Sequence, residues 1–445
     1  LNWKRRKKQH AKKNTTPLKK REKALATIHA HRAASAWPEG VQPMAADGSG
    51  ATGFWPKGFM TSVTAAGIKY SGRTDMFLLF SEQPAVTAGV FTTNLCCAAP
   101  VVLSRRSIAA AGSAMRAVIC NSGNANAATG IQGMQDAEDT AAKTAEVLGI
   151  NPEEVIVSST GVIGQLLPME KILRGVEALP ATLGESSGVE AAEAIMTTDT
   201  FPKFFSVDIA LSGGTARISG VAKGSGMIAP NMATMLAFLA TDADIEQGLL
   251  QEALRIANLG SFNAITVDGD TSTNDMAVIM AGGTGPSVEA GSEDLRLFTA
   301  GLESLMGFLA RLIVIDGEGA TKLVEINVQE ARSAEEAVMA ARTIAQSSLV
   351  KTALHGEDAN WGRIIAAAGR SGAMFREEDL ELYFEELPIL RRGLQADFSE
   401  EDAAAILARP SYAITLRLGA GTASARVWTC DLSKEYVDIN GSYRS

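Results

Sequence analysis

The sequence predicts a layered α/β (α+β) fold, and three observations carry that reading. Segments with helix-spaced apolar residues alternate loosely with short apolar runs of strand character, which is the pattern of sheets covered by helices. The 445 residues are 46% hydrophobic and 20% charged, enough apolar material for a large core and too much for wholesale disorder. No internal repeat or low-complexity linker interrupts the body, and at roughly 150 residues per domain the length implies two or three structural units.

The elements follow in order. Residues 1–40 read as a basic, disordered extension, because they lack hydrophobic periodicity; deleting them is expected to leave the body intact. Strand-like runs fall at 101–103, 117–120, 155–157, 205–211, 276–280 and 311–315, with late strands at 412–418 and 423–430. Ala137, Ala141, Ala145 and Leu148 share one face of a helix over 136–148. Leu249, Leu250, Ala253, Leu254 and Ala257 do the same over 245–258. Ser333 followed by Glu336 is a capping box that opens a helix to about residue 346. One soft boundary precedes it, at 326–332.

Charge and residue usage exclude several functions. The first 35 residues carry twelve Lys or Arg against Glu22, a charge of +11; the total is −9, so the remainder carries −20. An acidic body argues against nucleic acid as the main partner. The leader has no apolar core for secretion and is poor in Ser for a transit peptide. A disordered tail or a misplaced translation start is the plain reading, and organellar import is left open. The longest apolar stretches, such as 232–240, fall far short of the ~18 residues of a membrane span. Cys96, Cys97, Cys120 and Cys430 form no CxxC pair, which fits a reducing, cytoplasmic setting without structural disulfides. Of four histidines only His355 lies in the body, so neither a multi-histidine zinc site nor any other metal centre is expected, and a Ser-His-Asp mechanism would rest on that single imidazole.

Gly48, Gly50 and Gly53 fit GxGxxG, but no strand precedes them and Phe54-Trp55-Pro56 follows where a helix should open, so an entry loop is the better reading. DGDTSTND (268–275) lacks the twelfth-position Glu of a calcium loop, Ile279 standing there; a polar turn or the edge of an active site remains. SSTGVIGQLLP (158–168) could aim the Thr160 hydroxyl and the Gly161 N–H at one point, although alone it is a simple turn. In VAKGSGMIAPNMATMLAFLATDA (221–243), Thr234 is the one hydroxyl at the start of an apolar run. Such a threonine is ordinarily β-branched core. It becomes a nucleophile if the Ala233–Thr234 bond is cut, since a free α-amine on the same residue can then take its proton.

At these segments the chain resembles the ornithine acetyltransferase family. The match runs in order from PKGF (56–59) and AGVFTTN (88–94) through NSGNANAATG (121–130), SSTGVIG, MTTDT (196–200), KGSGMIAPNMATML and DGDTSTND. It continues through DGEGATK (316–322) and HGEDANWGR (355–363) to YVDINGSYRS at the C-terminus. It covers about residues 55–445, and the basic leader lies outside it.

The resemblance implies an autoprocessed αββα-type sandwich with a smaller C-terminal α/β subdomain. Self-cleavage between Ala233 and Thr234 would leave chains 41–233 (with the extension before it) and 234–445. Of the latter, 234–328 would complete the catalytic part and 329–445 form the subdomain. The two chains would stay together, usually as α2β2. Thr234 would be the nucleophile, and Thr160 with Gly161 the oxyanion pair. Thr197, Lys223, Thr234, Glu318, Asn440 and Ser445 would bind substrate. Ser445 stands where many relatives have Thr. The implied reaction moves acetyl from N2-acetyl-L-ornithine to L-glutamate in arginine biosynthesis, with no cofactor. Acetyl-CoA is an additional donor in some members, and no residue here separates the two kinds. A self-processed aminopeptidase or amidase with the same nucleophile is the rival enzyme class, and an uncleaved scaffold using the basic leader is the non-enzymatic one. For His355 a structural or pocket-wall role is favoured over catalysis.

Overall fold

A computed structural model describes residues 17–44, 53–229 and 235–441. Among these, one sheet has nine strands: β1 (Val41–Pro43), β2 (Phe59–Thr64), β3 (Met76–Phe91), β4 (Met115–Asn124), β5 (Val155–Val162), β6 (Lys203–Leu211), β7 (Gly214–Lys223), β8 (Leu236–Thr241) and β11 (Met276–Ala281). The order is β1-β6-β7-β8-β11-β3-β4-β5, with β2 also on β3. A short pair, β9 (Asp244–Ile245) and β12 (Ser287–Val288), lies apart from it.

β3 makes this one sheet into two leaves. Its first half pairs with β2 and β4, its second half with β11, and the register with β4 breaks between Phe80 and Ala85. The leaves face each other through apolar side chains: Phe77 of β3 stacks on Phe238 of β8 at 5.6 Å. Side chains of a strand alternate between faces, so the odd and even positions of β4 and β5 serve different cores. Val118, Cys120 and Ile156 point between the leaves. Ala117, Ile119, Val155 and Val157 point outward.

The helices cover the outer faces. In chain order they are α1 (Pro17–Ala34), α2 (Ala99–Ala111), α3 (Gly130–Leu148), α4 (Met169–Ala178), α5 (Gly188–Ala194), α6 (Gln247–Leu259) and α7 (Glu293–Ile315). α2, α3 and α4 pack on the β4–β5 leaf. α6 and α7 pack on the other, where Leu309 of α7 and Leu239 of β8 meet over Gly220. The result is the expected αββα layering. α7 is, among the described residues, the one helix long and apolar enough to cross a membrane, and 67% of that stretch is buried inside the fold.

The second sheet runs β10-β18-β13-β17-β14-β15-β16. Its strands are β10 (Ile265–Thr266), β13 (Leu323–Ala331), β14 (Glu381–Phe384), β15 (Leu387–Arg391), β16 (Leu394–Gln395), β17 (Ser411–Arg417) and β18 (Ala423–Cys430). Around it lie α8 (Ala334–Ala345), α9 (Ser348–His355), α10 (Trp361–Gly369) and α11 (Glu400–Leu407); α12 (Lys434–Asn440) follows β18. The Ser333 hydroxyl accepts the Glu336 N–H at 3.3 Å, one half of the expected capping box; the Glu336 carboxylate accepts the Met374 N–H instead, at 3.0 Å.

Four expectations are corrected. The disordered reading of 1–40 fails for its second half. α1 sets Ala24 and Ile28 fully into the main core, an i, i+4 pair too sparse to register as periodicity, and Arg21 clasps Glu193 with two bonds of 2.7 and 2.8 Å. Residues 101–103 and 311–315 are helical, inside α2 and at the end of α7, because short apolar runs look alike in buried helices and strands. The boundary at 328/329 would cut β13, a central strand; the change of unit falls between Ile315 and Leu323. SSTGV is the end of β5 itself and not a turn after it.

Candidate active site

β8 is buried along its whole length, held antiparallel by β7 and parallel by β11. At its start, the Met235 carbonyl accepts the Met276 N–H at 3.0 Å. Met235 lines a cavity of about 370 Å³, and six of the expected residues line it too: Thr160, Gly161, Thr197, Lys223, Glu318 and Asn440. They arrive from β5, the loop before β6, the end of β7, the loop after α7 and the end of α12. Ala233, Thr234 and Ser445 lie outside the described residues, as do Gly48 and Gly50.

Gly161 shows why glycine is required. Its φ is +139°, and a Cβ there would lie 2.3 Å from the Gly123 carbonyl carbon of the neighbouring strand. The absence of a side chain lets β4 and β5 close together beside the cavity that Gly161 lines. The adjacent Thr160 hydroxyl accepts from the Lys223 ammonium at 3.2 Å. Asn274 braces this corner by donating to the carbonyls of Ala125 (2.6 Å) and Ser159 (2.8 Å).

A buried charge cluster fixes the remaining walls. The Lys203 ammonium, fully buried, sits 2.7 Å from both Asp199 Oδ1 and Asp316 Oδ2. Asp199 also accepts the N–H of Thr197 (2.9 Å) and of Gly224 (2.9 Å). The Ser225 hydroxyl donates to the Asp316 carbonyl at 2.6 Å, and the Glu318 N–H to the Ser225 carbonyl at 3.0 Å. The segments bearing Thr197, Lys223 and Glu318 are thus tied to one another. Burial alone would raise the Asp199 carboxyl, but Lys203 and Lys223 hold it below the usual range. Burial pushes Asp316 up, and Lys203 only partly offsets it.

Glu318 is buried and accepts the Asn440 side-chain amide at 2.6 Å. Gly226 makes room for it, since a Cβ there would lie 2.5 Å from the Glu318 carboxyl carbon. In DGDTSTND, Asp268 accepts the N–H groups of Met227 (2.6 Å) and Ile228 (2.8 Å), and so anchors the segment that leads to the expected cleavage site. Asp275 lines the cavity; burial pushes it well up despite the pull of Lys223, and its Oδ2 has no partner among the described residues. His355 is not in the cavity wall. Its Nδ1 lies 2.7 Å from Asp431, whose carboxylate also accepts the Thr321 and Lys322 N–H groups, an arrangement that stitches β13 to the chain after β18.

Sequence reasoning missed Lys203 outright and gave Asp199 and Asp316 no role, although both lie inside quoted motifs; for DGDTSTND the active-site edge was one of two readings, and Asp275 lines the cavity. The available signal was the i, i+4 spacing of Asp199 and Lys203 ahead of a buried strand. No group of three or more His, Cys, Asp or Glu among the described residues is placed to hold a metal ion.

Thr160 and Gly161 at the end of β5, a lysine bonded to that threonine and a buried carboxylate gather around one cavity on an αββα body, a set that suits acyl transfer. The chain matches the ArgJ family over residues 60–445 and belongs to it. It is 67% identical to the arginine biosynthesis bifunctional protein ArgJ of Chlorobium chlorochromatii, over 95% of this chain and 99% of that one. Among solved structures it is similar to the ArgJ bifunctional protein of Bacillus halodurans: 43% identity, TM-score 0.44, 45% of this chain and 96% of that chain. It is also similar to the ornithine acetyltransferase of Mycobacterium tuberculosis, solved with ornithine: 40% identity, TM-score 0.39, 43% of this chain and all of that one. The protein is an enzyme of arginine biosynthesis, a glutamate N-acetyltransferase.

Proposed function

We propose that this chain cuts itself between Ala233 and Thr234 and then carries acetyl from N2-acetylornithine to glutamate as an ester on Thr234. The observation that carries the reading is the convergence of Thr160, Gly161, Thr197, Lys223, Glu318 and Asn440 on one cavity beside Met235, the residue that follows the proposed nucleophile.

The chemistry follows from the residue types. The Thr234 α-amine, with an unperturbed pKa of about 7.7–8.0, accepts the hydroxyl proton near neutral pH. Oγ attacks the acetyl carbonyl, and the oxyanion accepts hydrogen bonds from the Thr160 hydroxyl and the Gly161 N–H. One such donor is typically worth about 2.7–4 kcal/mol. The C–N bond breaks, the α-amine returns its proton to the leaving nitrogen, and ornithine departs. The amino group of glutamate then attacks the ester, Thr234 Oγ leaves and is reprotonated, and N-acetylglutamate is released. Lys223 pairs with the α-carboxylate common to both amino acids, and Glu318, steadied by Asn440, faces the cationic end of ornithine. Ser445 is a further substrate-binding residue in this reading. Acetyl-CoA serves as a second donor to the same threonine, its thioester C–S bond breaking in place of the amide; the bifunctional description of the relatives supports this.

The cleaved chains remain together because β8 stays between β7 and β11 in one sheet, and they pair further as α2β2. The enzyme works in the cytoplasm; four free cysteines, two of them buried, fit a reducing setting.

Purified protein should run as two chains, the smaller beginning Thr-Met-Leu-Ala, and Thr234→Ala should stay full length. The intact enzyme should release ornithine from N2-acetylornithine and form N-acetylglutamate when glutamate is added. Processing of Thr234→Ala, or acetate released faster than N-acetylglutamate forms, would overturn the proposal.

A further inference from the structure

A second cavity of about 130 Å³ adjoins the first, and the two share Gly161, Thr197 and Thr198. Its outer wall is the loop between β2 and β3, which brings Lys69 and Arg73 to the far side of Gly161. The loop is held in place. The Asp75 carboxylate accepts the N–H groups of Ala66 (2.7 Å) and Ile68 (2.6 Å), and the Arg73 guanidinium donates to the Met196 carbonyl, next to Thr197. Gly123 permits the approach, since a Cβ there would lie 3.0 Å from Lys69 Cβ. Among the described residues Asp75 is the only carboxylate in this wall, against the two cations Lys69 and Arg73, so the annex carries a net positive charge.

The proposed reaction passes two amino acids through one site, and their side chains end in opposite charges: an ammonium on ornithine, a carboxylate on glutamate. The main cavity holds Lys223 for the shared α-carboxylate and the Glu318 carboxylate, which suits ornithine and repels glutamate's side chain. We infer that the Lys69–Arg73 annex receives the side-chain carboxylate of the acceptor, so that acceptor and donor place their side chains in different branches of one cavity. This rests on the acetyl-transfer reading and adds to it the group that selects a dicarboxylic acceptor.

Lys69→Gln tests it, since Arg73 also holds Met196. Two-chain processing reports that the variant folds. Loss of one charge-assisted contact should raise the ratio of KM for glutamate to KM for N2-acetylornithine by about tenfold or more. The preference for glutamate over glutamine should shrink similarly, and Lys69→Arg should restore both. An unaltered ratio and preference, or equal rises in both KM values, would overturn the annex assignment. Failure of the unmutated enzyme to release ornithine from N2-acetylornithine would instead overturn the acetyl-transfer reading, and this inference with it.

Discussion

Replacing Lys203 with Met should destabilise the protein by about 3–5 kcal/mol, because it breaks a buried ion cluster from one side. Methionine has nearly the volume of lysine, so no large cavity opens; what disappears is charge compensation. The ammonium lies 2.7 Å from Asp199 and 2.7 Å from Asp316, both carboxyls shielded from water. Without it, two carboxylates face each other in the core. The pH dependence has a definite sign. Asp199 is depressed below 3.8 in the fold, so its contribution is complete above that value and lost as pH falls through the folded pKa. Lys203 is raised above 10.5, so its contribution is complete below that value and lost as pH rises through the folded pKa. Asp316, raised above 3.8, opposes the fold when ionised and offsets part of the gain. The deficit of the variant should therefore be large near pH 7 and shrink toward acid, as the stranded carboxyls take up protons. Urea unfolding followed by circular dichroism at several pH values measures it, with the m-value checked for constancy. Because the cluster ties the Thr197, Lys223 and Glu318 segments together, KM should rise for both amino-acid substrates. A loss below about 1 kcal/mol at pH 7 with unchanged KM values would refute the argument.

Two further outcomes follow. Gly161→Ala places a Cβ 2.3 Å from backbone at a φ of +139°, so turnover should fall about 100-fold or more through displacement of the donor, while Thr160→Ser, which keeps the hydroxyl, should lose far less; stopped assays of N-acetylglutamate on processed enzyme decide it. The His31 imidazole is pushed down to about 4 by burial and by Arg311, so it folds neutral; its contribution is complete above about pH 6.5 and is lost, up to about 3 kcal/mol, as pH falls toward 4. Urea midpoints at pH 7 and pH 5 should separate for the wild type and move together in His31→Gln; an equal separation in both would place the acid sensitivity elsewhere.

The sequence by itself determined much of this protein. Apolar periodicity marked α3 and α6, a capping pattern marked α8, alternating or continuous apolar runs marked β4, β5, β6, β11, β17 and β18, and the ordered motifs named a set of site residues. Six of those residues meet in one cavity. Local patterns are readable because a residue's neighbours in the chain set its helical or strand face. The tertiary structure alone decided the rest. Whether 311–315 is strand or helix depends on what buries it, and α7 continues through it because a sheet lies beneath. Ala24 and Ile28 dock α1 only because a matching surface and Glu193 await them from elsewhere in the chain. Lys203 reads as an ordinary lysine until residues 4 and 113 positions away close around it. Long-range charge pairing and burial are properties of the assembled core: the i, i+4 spacing marks Asp199 and Lys203, but no local pattern encodes Asp316 or the burial of all three.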